Sequence, residues 1–276
     1  MGVHHQEAVE VNEWFAGYLV LGAVAGFFAG LLGVGGGAIM VPVLALMFAA
    51  QGFPEQHLMH LALGTSMATI VFTSISSLRA HHSHGAVVWP IVRAIAPGIV
   101  VGTLFGAQVA GLIPTRPLAI FFAIFIAYVA VQMILNVKPR PSRQLPGSPG
   151  MFGVGAFIGG ISALVAIGGG SLSVPFMTWC NVKVHHAIGT SAAIGFPIAL
   201  AGTIGYMISG YGATGLPDGA FGFIYLPALA ATVVVSMLVA PIGARVAHSL
   251  PVATVKKVFA GLLLVLLAKM LHGLFS

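Results

Sequence analysis

From Trp14 onward the chain is a succession of apolar runs, most of them about as long as a bilayer is thick. A membrane-spanning helix needs about 20 apolar residues. Runs of that kind extend from His60 to Leu78, Val87 to Leu112, Pro117 to Val137, Ala187 to Ile208, Phe221 to Val246 and Val252 to Leu274. Two more, Trp14 to Ala50 and Met151 to Cys180, are too long for one crossing and are broken by glycines. Only 6% of the residues are charged, against about a quarter in a soluble domain. So few charges cannot cover a water-facing surface, and the bilayer must be the solvent. The net charge of +6 then reads as cytoplasmic loops and contact with anionic headgroups, and not as nucleic-acid binding.

Residues 1–13 carry Glu7, Glu10 and Glu13 without a basic n-region, so they read as a short exposed tail and not as a signal peptide. The lone Cys180 leaves no internal disulfide and argues against a thiolate metal site. The proline-rich stretch NVKPRPSRQLPGSPG is the one loop-like boundary near the chain centre. It divides a first repeat, 14–137, from a second, 151–276, with a cytoplasmic linker over 138–150.

The halves repeat their landmarks in the same order. GGGAIMVP, with Gly35, Gly36, Gly37 and Ala38, is matched by GGGSLSVP, with Gly168, Gly169, Gly170 and Ser171. A GTS triplet bearing Thr65 and Ser66 is matched by one bearing Thr190 and Ser191. Pro90, Gly106, Ala107, Val109, Ala110 and Pro114 are matched, all at one fixed spacing, by Pro227, Gly243, Ala244, Val246, Ala247 and Pro251.

The placement of cations decides how the repeats are oriented. If each glycine stretch is the turn of a hairpin and the N-terminus is outside, eight cations fall inside: Arg79, Lys138, Arg140, Arg143, Lys183, Arg245, Lys256 and Lys257. Arg116 alone is then clearly outside, in keeping with the positive-inside rule. A single crossing through each glycine stretch destroys that bias. The expected architecture is therefore an all-α integral membrane protein of two inverted repeats. Each has about five membrane segments and opens with a glycine-broken helical hairpin.

Backbone that leaves the helix at membrane depth must be buried in protein or line a wet cavity, and broken helices in inverted repeats place substrate near the midplane. Half-helices starting near Ala38 and Ser171 would offer unpaired N–H groups and positive dipole ends, and glycine lets an anion approach closely. Close helix packing is the competing use of these glycines. Thr65, Ser66, Thr190 and Ser191 can donate to an oxyanion without burying a charge, or they can bond their own helix backbone. Thr69, Thr73 and Ser77 step by four along one face and make a candidate cavity wall. Arg93 is the one cation clearly inside a segment. It is either a substrate contact or a residue that snorkels to the headgroups.

No Asp or Glu lies within any segment, which argues for an anion substrate and against carboxylate-based sodium or proton coupling. The histidines at 57, 60, 81, 82, 84, 185 and 186 sit at segment ends without carboxylate or thiolate partners, so neither a metal nor any other cofactor is expected. No nucleophile elbow or P-loop is present, and an enzyme is not expected.

AGFFAGLLGVGGGAIMVPVL, ALVAIGGGSLSVPF and the paired GTS segments resemble the sulfite exporter TauE/SafE family, the toluene sulfonate uptake permeases, over nearly the whole chain. The resemblance implies a multi-pass carrier in the cytoplasmic membrane of a prokaryote. It would move sulfite, sulfoacetate or another sulfonate, with export by alternating access the leading expectation. An anion channel, or a carrier of a non-sulfur organic anion, is the alternative. The expected partners are a small anion and the lipid bilayer. Coupling to a proton or counter-ion stays open, as does the oligomeric state.

Overall fold

The structure, a computed structural model, describes residues 2–32, 36–135, 141–247 and 252–275. Ten α-helices account for nearly all of these: α1 (Gly2–Leu32), α2 (Gly37–Ala50), α3 (Leu58–Ser83), α4 (Trp89–Leu112), α5 (Thr115–Leu135), α6 (Ser148–Val165), α7 (Gly170–Trp179), α8 (Val184–Ser209), α9 (Leu226–Ala247) and α10 (Val252–Phe275). Among the described residues, seven helices are long and apolar enough to cross a membrane. The protein is thus an all-α, multi-pass membrane protein. Helix α1 runs back through the segment that the sequence suggests is an exposed tail. Lys138 and Arg140 of the linker lie outside the described residues.

Helix α3 is the central element: 83% of its 18-residue apolar window is buried, and α8 follows with 67% of its own. They pack antiparallel: Gly64 lies against Tyr206, Met67 against Gly202 and Ser74 against Gly195. Two other pairs pack parallel through small residues. Gly98 and Gly102 of α4 meet the backbone of Phe152 and Ala156 in α6, and Gly22 and Gly26 of α1 meet that of Thr232 and Ser236 in α9. Glycine at four-residue spacing lets such helices approach backbone to backbone, which is how membrane helices gain packing energy when water supplies none.

Helices α1 and α2 form a hairpin. Gly36 packs on Ala25 and Ala29 at one end, while Gln51 Nε2 donates to Tyr18 Oη at 2.6 Å near the other. Helix α7 likewise returns to the level at which α6 begins. Its Trp179 carbonyl accepts the N–H groups of Ser142 and Arg143, each at 3.2 Å, and its indole N–H donates to Ser142 Oγ at 2.8 Å.

A further boundary differs from the sequence reading. The apolar run from Phe221 does not open as helix. Ala220–Phe221 and Ile224–Tyr225 pair antiparallel as strands β1 and β2, and α9 starts only at Leu226. Gly222, at φ 55, makes the turn between them. Hydropathy cannot separate a buried hairpin from the first turn of a helix. Phe223 at its tip is 4% exposed and buried in the core.

Candidate functional site at the two helix breaks

Helices α2 and α7 begin alike. Gly36 caps α2 at φ 62, ψ −19, and Gly169 caps α7 at φ 81, ψ −20, both in the left-handed region where only glycine is unstrained. In α2 the N–H groups of Ile39 and Met40 return to the Gly36 carbonyl, each at 3.1 Å. In α7 those of Leu172 and Ser173 return to the Gly169 carbonyl, at 3.1 and 2.7 Å. The N–H groups of Gly37, Ala38, Gly170 and Ser171 precede these bonds and have no helical carbonyl behind them. Each break therefore presents donors and a positive dipole end inside the protein. Gly35, a member of the same candidate set, lies outside the described residues.

The two breaks come together. Gly37 lies so close to the Ala166 carbonyl at the end of α6 that a methyl group there would overlap it, and Ile70 of α3 closes the same contact. Beside this junction is a cavity of about 20 Å³, lined by Ala29, Ile70, Thr73, Ser74, Ser77, Gly168, Ala192 and Gly195. Two members of the α3 polar stripe, Thr73 and Ser77, reach it. Thr69 does not: it donates to the Thr65 carbonyl and pairs with Thr232 Oγ1, both at 3.0 Å.

The GTS residues divide by role. Thr190 Oγ1 accepts the backbone N–H of Val88, just ahead of α4, at 2.9 Å. Thr65 Oγ1 accepts the N–H of Tyr225, just ahead of α9, also at 2.9 Å. Each threonine thus supports the start of a helix in the opposite half. Ser191 Oγ accepts from Ser173 Oγ at 2.9 Å. Ser66 Oγ and Ser171 Oγ, by contrast, are buried without a hydrogen-bond partner. A buried hydroxyl left unpaired costs on the order of 1–3 kcal/mol and calls for a reason. Ser171 sits in the first turn of α7, among the unpaired N–H groups.

Arg93 stands apart from this assembly. It is exposed, one turn into α4, and does not line the cavity. His60 is buried, and its Nε2–H donates to the Ala110 and Ile113 carbonyls, each at 3.1 Å. That contact holds the end of α4. Among the described residues no three His, Cys, Asp or Glu side chains converge as a metal site would require. The crossing threonine bonds and the β1–β2 hairpin were not foreseen. One signal was available: Val88 and Tyr225 stand at the spacing that relates Pro90 to Pro227.

A family model described as sulfite exporter TauE/SafE matches residues 18–270. A probable membrane transporter protein of Haemophilus influenzae is 38% identical over 254 residues, covering 91% of this chain and 96% of its own. The probable membrane transporter protein YunE of Bacillus subtilis is 29% identical, covering 70% and 78%. A probable membrane transporter protein of Methanocaldococcus jannaschii is 26% identical, covering 68% and 71%. No solved structure gives a significant match.

Proposed function

The chain belongs to the sulfite exporter TauE/SafE family, and on that footing we propose that it is a secondary transporter of a small sulfur-containing anion: sulfite, sulfoacetate or another organosulfonate. It works in the cytoplasmic membrane of a prokaryote, exporting its substrate by alternating access. Membership of a membrane-transporter family also agrees with a role other than enzymatic. The observation that carries the anion reading is the pair of buried, glycine-capped helix starts at Gly36 and Gly169, with the unpaired Ser171 hydroxyl at one of them. Neutral N–H and O–H donors in a water-poor site hold an oxyanion without a buried cation.

Alternating access calls for two inverted repeats, 14–137 and 151–276, joined by the cytoplasmic linker. Helix directions support this arrangement. α3 and α8, equivalent through their GTS triplets, pack antiparallel, while α4 and α6 pack parallel. A two-fold axis lying in the membrane plane gives both relations, and an axis along the membrane normal gives neither. Exposed Arg93 fits a headgroup anchor on this reading, leaving the substrate to Gly36–Ala38, Gly168–Ser171 and Ser66.

Counterflow in proteoliposomes tests the proposal. Preloaded unlabelled sulfite or sulfoacetate should drive uptake of the labelled anion, and carboxylates of similar size should compete weakly. Exchange confined to carboxylates, or flux without counterflow, overturns it.

A further inference from the structure

The break between α6 and α7 has two ends of opposite polarity. α7 offers a positive N-terminus. α6 brings the negative end of an 18-residue helix to the same place. The cavity beside it is lined by Thr73, Ser74 and Ser77 and by Gly168. Ser74 Oγ donates its proton to the Val71 carbonyl at 2.9 Å, and Thr73 Oγ1 donates to the Ile70 carbonyl at 3.2 Å. These hydroxyls have therefore spent their protons on the backbone, and what remains is lone pairs. The Gly168 carbonyl lies against Gly195, where no side chain intervenes. About 20 Å³ is room for one water-sized particle.

Neutral hydroxyl and carbonyl oxygens without a carboxylate are the donors suited to a hard, singly charged cation. Unwound carbonyls and the C-terminal ends of half-helices supply such donors in broken membrane helices. The equivalent wall in the other half does not: through the GTS alignment Thr73, Ser74 and Ser77 correspond to Ile198, Ala199 and Gly202. We infer that the cavity between Thr73, Ser74, Ser77 and Gly168 is a sodium site. The ion would rest beside Gly168, between the end of α6 and the start of α7, while the anion occupies the α7 N-terminus. The cation site stands on its own geometry; only its use in coupling rests on the transporter reading. The sodium would then offset the charge of the anion bound beside it.

The test uses the purified full chain without sulfonate or sulfite. Melting temperature is followed while sodium chloride replaces choline chloride at constant ionic strength, and retained radioactive sodium is counted in parallel. A saturable rise of roughly 3 to 5 °C at tenfold excess over Kd is expected, with stoichiometric retention. Ser77→Ala, at a half-buried position, and Thr73→Val should both lose the rise, and Thr73→Ser should keep it. Identical melting in sodium and choline with no retained sodium overturns the site and leaves the cavity to a water molecule. Counterflow of sulfite in sodium-free vesicles distinguishes the two readings. If it persists while sodium fails to bind, the transporter stands and the sodium site falls. If sodium binds in protein that moves no anion, the reverse holds.

Discussion

The N–H of Val88 and the hydroxyl oxygen of Thr190 meet at 2.9 Å across the two halves of the chain. The same bond recurs between Tyr225 and Thr65 at 2.9 Å. Each joins a GTS threonine of one half to the residue two positions ahead of the helix-opening proline of the other, Pro90 or Pro227. Because α4 and α9 begin at these points, the threonines set where the two helices start.

That arrangement predicts the cost of removing a hydroxyl. Thr190→Val leaves the Val88 N–H without its acceptor and should lower stability by about 1–3 kcal/mol. Thr65→Val should do the same through Tyr225. The serine variants keep the oxygen and should lose less. The two bonds share no partner, so the double variant should be additive within about 0.5 kcal/mol. Thermal melts of the purified variants read all of this directly.

Arg93 gives a contrasting expectation. It is exposed on α4 and is not among the residues that line the cavity, which fits a headgroup anchor better than a substrate contact. Arg93→Lys should behave as wild type, because either cation can snorkel. Arg93→Gln should bind sulfite as well as wild type while lowering expression or stability. A Gln variant with weakened binding and an unchanged melt would return Arg93 to the substrate.

Much of this was legible from hydropathy and repetition. The ten helices fall where the apolar runs and the two glycine breaks indicate, because span length and charge exclusion are properties of single segments. Gly36 and Gly169 were marked by duplication, and both are left-handed caps. The role of Thr65 was not legible. Its partner lies across 160 residues, and only packing of the halves reveals it. For the same reason sequence could not say that Ser191 is satisfied by Ser173 while Ser66, its equivalent, stays unpaired: Met40 stands where the other half has Ser173.

Topology can be tested with one cysteine on each side. Gln144 in the linker and Asp218 in the loop before β1 are both exposed, so neither substitution disturbs packing. In a Cys180→Ala background, Asp218→Cys should react with an impermeant maleimide in intact cells, and Gln144→Cys should react only after lysis. Equal labelling of the two in intact cells contradicts inverted repeats with an external N-terminus.

The glycine breaks allow a controlled comparison. Gly36, Gly169 and Gly52 all have positive φ, at 62, 81 and 74, so alanine at any of them carries the same backbone penalty, about 1–2 kcal/mol. Their surroundings differ. A methyl at Gly52 meets nothing within 4 Å, whereas at Gly36 it meets the Ala25 carbonyl oxygen at 3.0 Å and at Gly169 the Ile198 Cδ1 at 2.7 Å. Gly52→Ala should therefore lose a little stability and transport normally. Gly36→Ala and Gly169→Ala should lose most transport at comparable stability, because they shift the helix starts that hold the anion. Gly37→Ala has no φ penalty but overlaps the Ala166 carbonyl, so it should force the two breaks apart and abolish counterflow. Initial rates normalised to reconstituted protein, read beside melts of the same preparations, decide the matter. If Gly52→Ala and Gly36→Ala lose transport equally, the loss comes from backbone strain alone, and the breaks have no special part in moving the anion.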